Sequence, residues 1–336
     1  MTNQRQVSSK KPGKFDTIIF GIGVTLAVII VQAIVSFMAM IPIAVSMAVE
    51  SGGDMSLYME LYEDFINNSG GLIYLQLAAQ VVCFIVVGLW YYLGFVKPDK
   101  KKGIYKPFNK KVSGPFDYLF IIFGAIGTYG LAVLLEEVVS MVFPDAASVW
   151  GDTLQSLLNG PTIIVVVSLM ILAPIYEEIA IRGIVLRKSE RVFGVFGCMI
   201  ISAILFGVLH MNIIQGLYVL PMGLFWGYVS FRYRSVIPAI ICHIINNSIG
   251  VFIPENLDPV IGGVGIVLIF GAVAVVIGVR KGLISSKPAP AVIVESEDTE
   301  ESAEAVDAED LSGYVTAGTG EQIWEEDDAL GDGESN

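Results

Sequence analysis

Residues 174–183 read Pro-Ile-Tyr-Glu-Glu-Ile-Ala-Ile-Arg-Gly and follow an apolar run, 162–173, that contains no charged residue. Charged side chains inside a bilayer are costly and are usually retained for a function. On a helix, Glu178 and Arg182 lie one turn apart with the acid N-terminal, which favours an ion pair. Glu177 lies about 100° further round the helix and remains free to act as a general base. The alternative is a closed ion-pair cluster that only orients the helix.

The composition of the chain is that of a membrane protein. Hydrophobic residues make up 54% of the 336 residues, and the mean hydropathy is +0.69, both typical of membrane proteins. No Lys or Arg follows Lys287, whereas 16 of the 33 acidic residues do. The net charge of −13 therefore belongs to the C-terminal tail, and the rest of the chain is slightly basic.

Several kinds of site are not indicated by the sequence. The three cysteines lie in separate apolar runs without a Cys-x-x-Cys pair, which favours neither a disulfide framework nor a thiolate zinc site. Phosphate-binding loops and nucleic-acid-binding modules are also absent from the sequence, so no nucleic-acid partner is predicted.

Apolar runs of membrane-spanning length recur along the chain. A bilayer needs about 20 apolar residues per helix, and eight runs are candidates: 17–49, 70–96, 116–143, 161–186, 192–212, 213–231, 235–253 and 260–279. The sequence therefore predicts an all-α polytopic membrane protein with about eight transmembrane helices and a buried polar active-site cavity. The connecting segments 50–68, 97–111 and 144–160 are expected to be loops.

The distribution of basic residues predicts the orientation in the membrane. Lys and Arg cluster in the N-terminal segment and in four further segments, 97–111, 187–191, 232–234 and 280–287. With eight spans, all five segments fall on one side, and the positive-inside rule places both termini in the cytoplasm. We expect a multi-pass protein of the plasma membrane.

The two histidines of the chain extend the polar set of residues. His210 and His243 both lie in apolar spans, and each has a polar or aromatic partner four residues away, Phe206 and Asn247. A carboxylate and a histidine can activate one water, while a second histidine and an amide can donate to an oxyanion. This is equipment for amide hydrolysis.

Other chemistries fit the same residues. His210, His243 and a glutamate would also satisfy the ligand count of a zinc site. Glu, His and Asn in membrane helices also build proton-coupled transporters, although those often have internal repeats, and we find no convincing repeat in this sequence. The residues alone do not separate these alternatives.

Three motifs resemble those of the CAAX protease and bacteriocin-processing family, which is also called the Abi or type II CAAX prenyl endopeptidase family. They are Glu177-Glu178-Ile179-Ala180-Ile181-Arg182, Phe206-Gly207-Val208-Leu209-His210 and His243-Ile244-Ile245-Asn246-Asn247. Their order and rough spacing fit the family, and the resemblance covers about residues 160–250.

The resemblance implies a membrane-embedded endopeptidase, a hydrolase that cleaves a peptide bond of a membrane-associated peptide or protein. By this resemblance Glu177 is the base, His210 is its partner on the water, and His243 and Asn247 form the oxyanion side. Glu178, Arg182 and Phe206 support them. Members are described as metal-independent glutamate proteases or as zinc metalloendopeptidases with Glu177, His210 and His243 as ligands. We favour the metal-independent mechanism, with zinc as the alternative cofactor.

The resemblance also implies the kind of substrate, while composition and the apolar runs, together with the resemblance, give the domain organisation. Members act in CAAX-box processing of lipidated proteins, in peptide maturation or in bacteriocin immunity, and a catalytically silent scaffold is an alternative role. The expected parts are a disordered basic N-terminus (1–16), helices one to three with their loops (17–159), the catalytic core (160–253), the last helix (254–284) and an acidic disordered cytoplasmic tail (285–336).

Overall fold

A computed structural model of the chain describes residues 13–102, 114–253 and 255–280. Every regular element in these residues is helical. The predicted acidic tail and most of the predicted basic N-terminus lie outside the described residues, as do residues 103–111 of the basic segment 97–111. Residues 14–16, which were expected to be disordered, form the first turn of the first helix.

The helices follow one another with short connections. They are α1 (Lys14–Glu50), α2 (Met55–Asn67), α3 (Gly71–Lys101), α4 (Pro115–Val142), α5 (Pro144–Leu158), α6 (162–186), α7 (Arg187–Leu209), α8 (Ile213–Tyr218), α9 (Leu220–Tyr233), α10 (Ile237–Phe252) and α11 (Asp258–Arg280). A short 3₁₀ turn, Glu255–Leu257, precedes α11.

The described helices confirm the all-α polytopic architecture. Five of them are long and apolar enough to cross a membrane: Lys14–Glu50, Gly71–Lys101, Pro115–Val142, Thr162–Glu190 and Val192–Leu209. Two shorter apolar helices, Ile237–Phe252 and Val260–Val273, follow towards the C-terminus. The sixth predicted span is divided into α8 and α9 just before Pro221, which lacks the N–H needed to continue a helix.

All three segments that were predicted to be loops contain helical residues. Within 97–111, α3 continues as far as Lys101. Within 50–68, α2 begins after Asp54, whose carboxylate accepts hydrogen bonds from the backbone N–H groups of Ser56 and Leu57. Within 144–160, α5 begins at Pro144, a residue that suits the first turn of a helix. Acidic and breaker residues indicated loops here, but an Asp cap and an N-terminal Pro are equally signals of a helix start.

Helix α6 occupies the centre of the protein. It packs against α1, α3, α7, α9 and α10. The side chains of its C-terminal part, from Ala180 to Leu186, are all buried. Charged residues on α6 are therefore surrounded by protein.

Ion pairs join several helix ends at one end of the bundle. Arg187 at the start of α7 pairs with Asp99 at the end of α3, and Glu190 pairs with Arg234 just after α9. The end of α9 also meets the start of α4, where Arg232 Nη2 lies 3.5 Å from Asp117 Oδ1. Basic segments that are far apart in the sequence thus share one end of the protein.

The contact between α4 and α11 depends on glycine. A Cβ atom added at Gly265 would lie 2.7 Å from Gly130 Cα, so the two backbones approach as closely as small residues allow in membrane helices. We expect Gly265→Val to lower the free energy of unfolding by about 1–3 kcal/mol, the usual range for an overpacked contact. Thermal unfolding in detergent measures this loss.

Gly263 provides the matched control for that substitution. It lies on the same helix two residues earlier, and no atom lies within 4 Å of a Cβ built there. Gly263→Val should leave the unfolding temperature nearly unchanged. Equal losses in the two variants would show that helix propensity, not the contact with α4, is responsible.

Candidate active site

Glu177 and Glu178 end a short α-helical segment of α6, Ala173–Glu178, which lies between two π-helical segments, Val166–Leu172 and Ile179–Leu186. Arg182 lies in the second of these π-helical segments. The two glutamates and Arg182 are buried, with exposed fractions of 9% for Glu177, 0% for Glu178 and 2% for Arg182. Arg182 Nη1 donates to Glu178 Oε1 over 2.8 Å, which is the pair that their spacing predicts. Isolated charges at this depth would be very unfavourable, so the pair allows the motif to be buried.

Arg182 also ties α6 to two neighbouring helices. Its Nη2 donates to the carbonyl oxygen of Gly223 on α9 over 2.9 Å. Its guanidinium carbon lies 4.7 Å from the ring centroid of Phe206 on α7, a cation–π geometry. Contacts with α7 and α9 therefore fix the guanidinium of this α6 residue, and the guanidinium in turn orients Glu178.

His243 of α10 lies between the two glutamates. Its Nδ1 is 3.1 Å from Glu178 Oε1, and its Nε2 is 3.9 Å from Glu177 Oε2. Because a carboxylate can only accept, Nδ1 carries a proton, and Nε2 is the ring atom that faces Glu177. Trp226 stacks on the imidazole with centroids 4.4 Å apart and an interplanar angle of 28°.

His210 follows the last residue of α7 and is held by its own helix. Its Nδ1 lies 2.8 Å from the carbonyl oxygen of Phe206, so Nδ1 donates and Nε2 is the free ring nitrogen of the neutral imidazole. The Phe206 ring contacts both imidazoles edge-on, with centroids 4.7 Å from His210 and 5.6 Å from His243. Phe206 thus packs between the two histidine-bearing helices.

Asn247 makes a contact that the sequence does not predict. Its Nδ2 donates to the carbonyl oxygen of Leu169, in the first π-helical segment, over 2.7 Å. In that segment the N–H of Ala173 donates to Ser168 O, five residues back. The next carbonyl in this pattern, that of Leu169, would need the N–H of residue 174, which is proline and has none. Asn247 supplies the missing donor and connects α10 to α6.

Comparison with known proteins places the motifs in one domain. A family model described as type II CAAX prenyl endopeptidase, Rce1-like, matches residues 159–249. Residues 159–249 therefore match a domain of the CAAX protease and bacteriocin-processing family. Every motif residue from Glu177 to Asn247 lies inside the match. No curated protein and no solved structure matches the chain.

The proposed zinc ligands of this CAAX protease domain are only partly assembled. Glu177 and His243 approach each other closely, as two ligands of one ion do. In the part of the chain that the structure describes, however, no group of three His, Cys, Asp or Glu side chains is arranged to hold an ion. Glu177, His210 and His243, the predicted ligands, are therefore not gathered as a three-residue group in the described residues.

Three residues at the site of this CAAX protease domain were missed in the sequence. Trp226 stacks on His243, and Tyr176 donates its hydroxyl proton to Glu177 Oε1 over 3.0 Å. Gln32 of α1 donates to the Tyr176 hydroxyl oxygen over 2.7 Å. Tyr176 directly precedes Glu177 in the sequence, and this position could have identified it as a site residue. Gln32 is 144 positions away from Tyr176, and only the packing of α1 on α6 reveals its role.

Proposed function

We propose that the protein is an intramembrane endopeptidase in which Glu177 activates a water molecule for attack on a peptide bond. The observation that supports this is the 3.9 Å separation between Glu177 Oε2 and His243 Nε2. Both oxygens of a tetrahedral intermediate are bonded to one carbon. A base and a donor at this separation can therefore contact one oxygen each. The family of the domain supports peptidase activity.

In this mechanism Glu177 takes a proton from water as the water oxygen bonds to the carbonyl carbon. The electron pair of the C=O bond moves to its oxygen, which accepts a hydrogen bond from Nε2–H of His243. His243 is then an imidazolium, because its Nδ1 proton is donated to Glu178. Collapse of the intermediate breaks the C–N bond, and Glu177 returns the proton to the leaving nitrogen.

Two further residues assist these steps. His210 contacts the water through Nε2, since its Nδ1 is engaged by Phe206. An amide group has two N–H donors. Asn247 donates one N–H to the carbonyl oxygen of Leu169, and its second N–H donates to the oxyanion.

The substrate that suits this site is a membrane-associated or lipidated peptide. Glu178 and His243 lie among membrane-length helices with exposed fractions of 0% and 3%, so a substrate must reach them within or beside the bilayer. We also propose that both termini are cytoplasmic and that the protein lies in the plasma membrane. The gathering of Arg187, Arg232 and Arg234 at one end of the bundle supports the orientation.

Cleavage by the purified protein tests the proposed function. The protein in detergent is mixed with a farnesylated CAAX peptide or with the same peptide lacking the lipid, and the products are analysed by mass spectrometry. We expect cleavage at one peptide bond, faster for the lipidated peptide and unchanged by a strong chelator, because protein groups alone supply the base and donors. Cleavage lost on chelation and restored by zinc would contradict the metal-independent mechanism. No cleavage of either peptide would favour a silent scaffold.

A further inference from the structure

Glu177 has an asymmetric environment that the reaction requires. Its Oε2 faces His243, whereas its Oε1 accepts a hydrogen bond from the Tyr176 hydroxyl over 3.0 Å. A carboxylate held at one oxygen cannot rotate freely about its last torsion, so the other oxygen keeps its direction. Tyr176 is 1% exposed, and its ring is therefore itself held by packing.

The Tyr176 hydroxyl is in turn directed by α1. Gln32 Nε2 donates to the hydroxyl oxygen over 2.7 Å. A phenol hydroxyl has one proton to donate. With its oxygen accepting from Gln32, that proton is given to Glu177, and hydrogen bonds in such a chain strengthen one another. Gln32, Tyr176 and Glu177 thus form a chain in which every donor points towards the carboxylate.

This hydrogen-bond chain extends beyond the residues that match the family model. Gln32 lies on α1, outside the matched residues 159–249, and α1 packs against α3, α6 and α7. A residue that only satisfied a buried hydroxyl could come from anywhere nearby. Here the hydroxyl being satisfied contacts the carboxylate that we propose as the base.

Resting on the proposed function, we propose that Gln32 is a positioning residue for the reaction: through the Tyr176 hydroxyl it holds Glu177 with Oε2 directed at His243. The catalytic unit then includes α1 as well as the domain that carries the motifs.

A double-mutant cycle in peptide cleavage tests the proposal. The full-length variants Gln32→Met, Tyr176→Phe and both together are compared with the wild type. We expect Gln32→Met to lower kcat by about 10-fold, since small displacements of a catalytic group cost this much or more, with little change in KM. In the Tyr176→Phe background, Gln32→Met should lower kcat no further, because Gln32 acts only through the hydroxyl.

Gln80 on α3 provides a matched control for this cycle. Like Gln32 it is a glutamine that reaches α6, although it is buried whereas Gln32 is half-buried. Its Oε1 accepts a hydrogen bond from Ser168 over 2.7 Å instead of joining the chain to Glu177. Gln80→Met should change kcat by the same factor with Tyr or Phe at position 176. A merely structural role of Gln32 would produce this additive pattern too.

The outcomes separate this proposal from the proposed function. If the wild type cleaves peptide and the Gln32 and Tyr176 effects multiply, the positioning role is wrong while the peptidase function stands. If the Gln32 substitution raises KM and leaves kcat unchanged, the positioning role is also wrong. If the wild type cleaves neither peptide, both proposals fail together.

Discussion

Glu177→Gln should reduce peptide cleavage by about 10³-fold, within the range that general-base catalysis contributes. The amide has nearly the same shape as the carboxylate and can still accept a hydrogen bond from Tyr176 through its oxygen. It cannot take a proton from water at neutral pH. The loss should therefore appear in kcat, as measured by initial rates of peptide cleavage, while the unfolding temperature in detergent stays close to that of the wild type.

Glu137 offers a control for this substitution. Glu136 and Glu137 on α4 form a second acidic pair, and Glu137 is exposed at the surface of the bundle. Glu137→Gln removes the same charge without touching the site and should leave kcat and KM unchanged. Activity retained in Glu177→Gln would rule out Glu177 as the base, and equal losses in both variants would indicate a general effect of charge.

Arg182→Met should destabilise the protein more than Gly265→Val does. Arg182 and Glu178 form an ion pair whose two side chains are completely buried. Removing one partner of such a pair leaves an uncompensated charge and typically costs about 3–5 kcal/mol. Thermal unfolding in detergent should show a large drop in unfolding temperature, together with loss of cleavage because Glu178 no longer fixes His243.

A second substitution separates the effect on stability from the effect on activity. In Arg182→Met with Glu178→Gln the unpaired charge is gone, so most of the lost stability should return. Cleavage should stay low, because His243 Nδ1 then meets a neutral amide instead of a carboxylate. Arg234→Met, which breaks an ion pair with 53% of the arginine side chain exposed, should cost at most about 1 kcal/mol. A cost as small as this for Arg182→Met would contradict the buried-pair interpretation.

The parts of the structure that the sequence predicted are those set by local spacing and by membrane thickness. Apolar runs of sufficient length predicted the long helices, because a bilayer accepts little else. The four-residue step from Glu178 to Arg182 predicted their pair, because helix geometry alone brings such residues together.

Contacts between distant helices could not be predicted in the same way. Glu178 lies 65 positions from His243, and nothing in the local pattern shows that one carboxylate serves both the arginine and the histidine. Asn247, which was predicted to serve the oxyanion, donates to the carbonyl oxygen of Leu169. Its bond to Leu169 depends on a π-helical segment, a local widening that hydrophobic periodicity does not report. The helices α2 and α5 were missed because polar surface helices and loops share a composition.

Because of the π-helical segment Val166–Leu172, the direction of Glu177 depends on the number of residues that precede it in α6. Such a segment is in effect an α-helix with one inserted residue, and each residue of an α-helix turns its successors by about 100°. A single deletion between Pro161 and Pro174 would restore regular α-helix and swing Glu177 away from His243, although no motif residue had changed. Relatives with identical motifs but one residue fewer in this stretch would therefore aim their acidic pair in another direction.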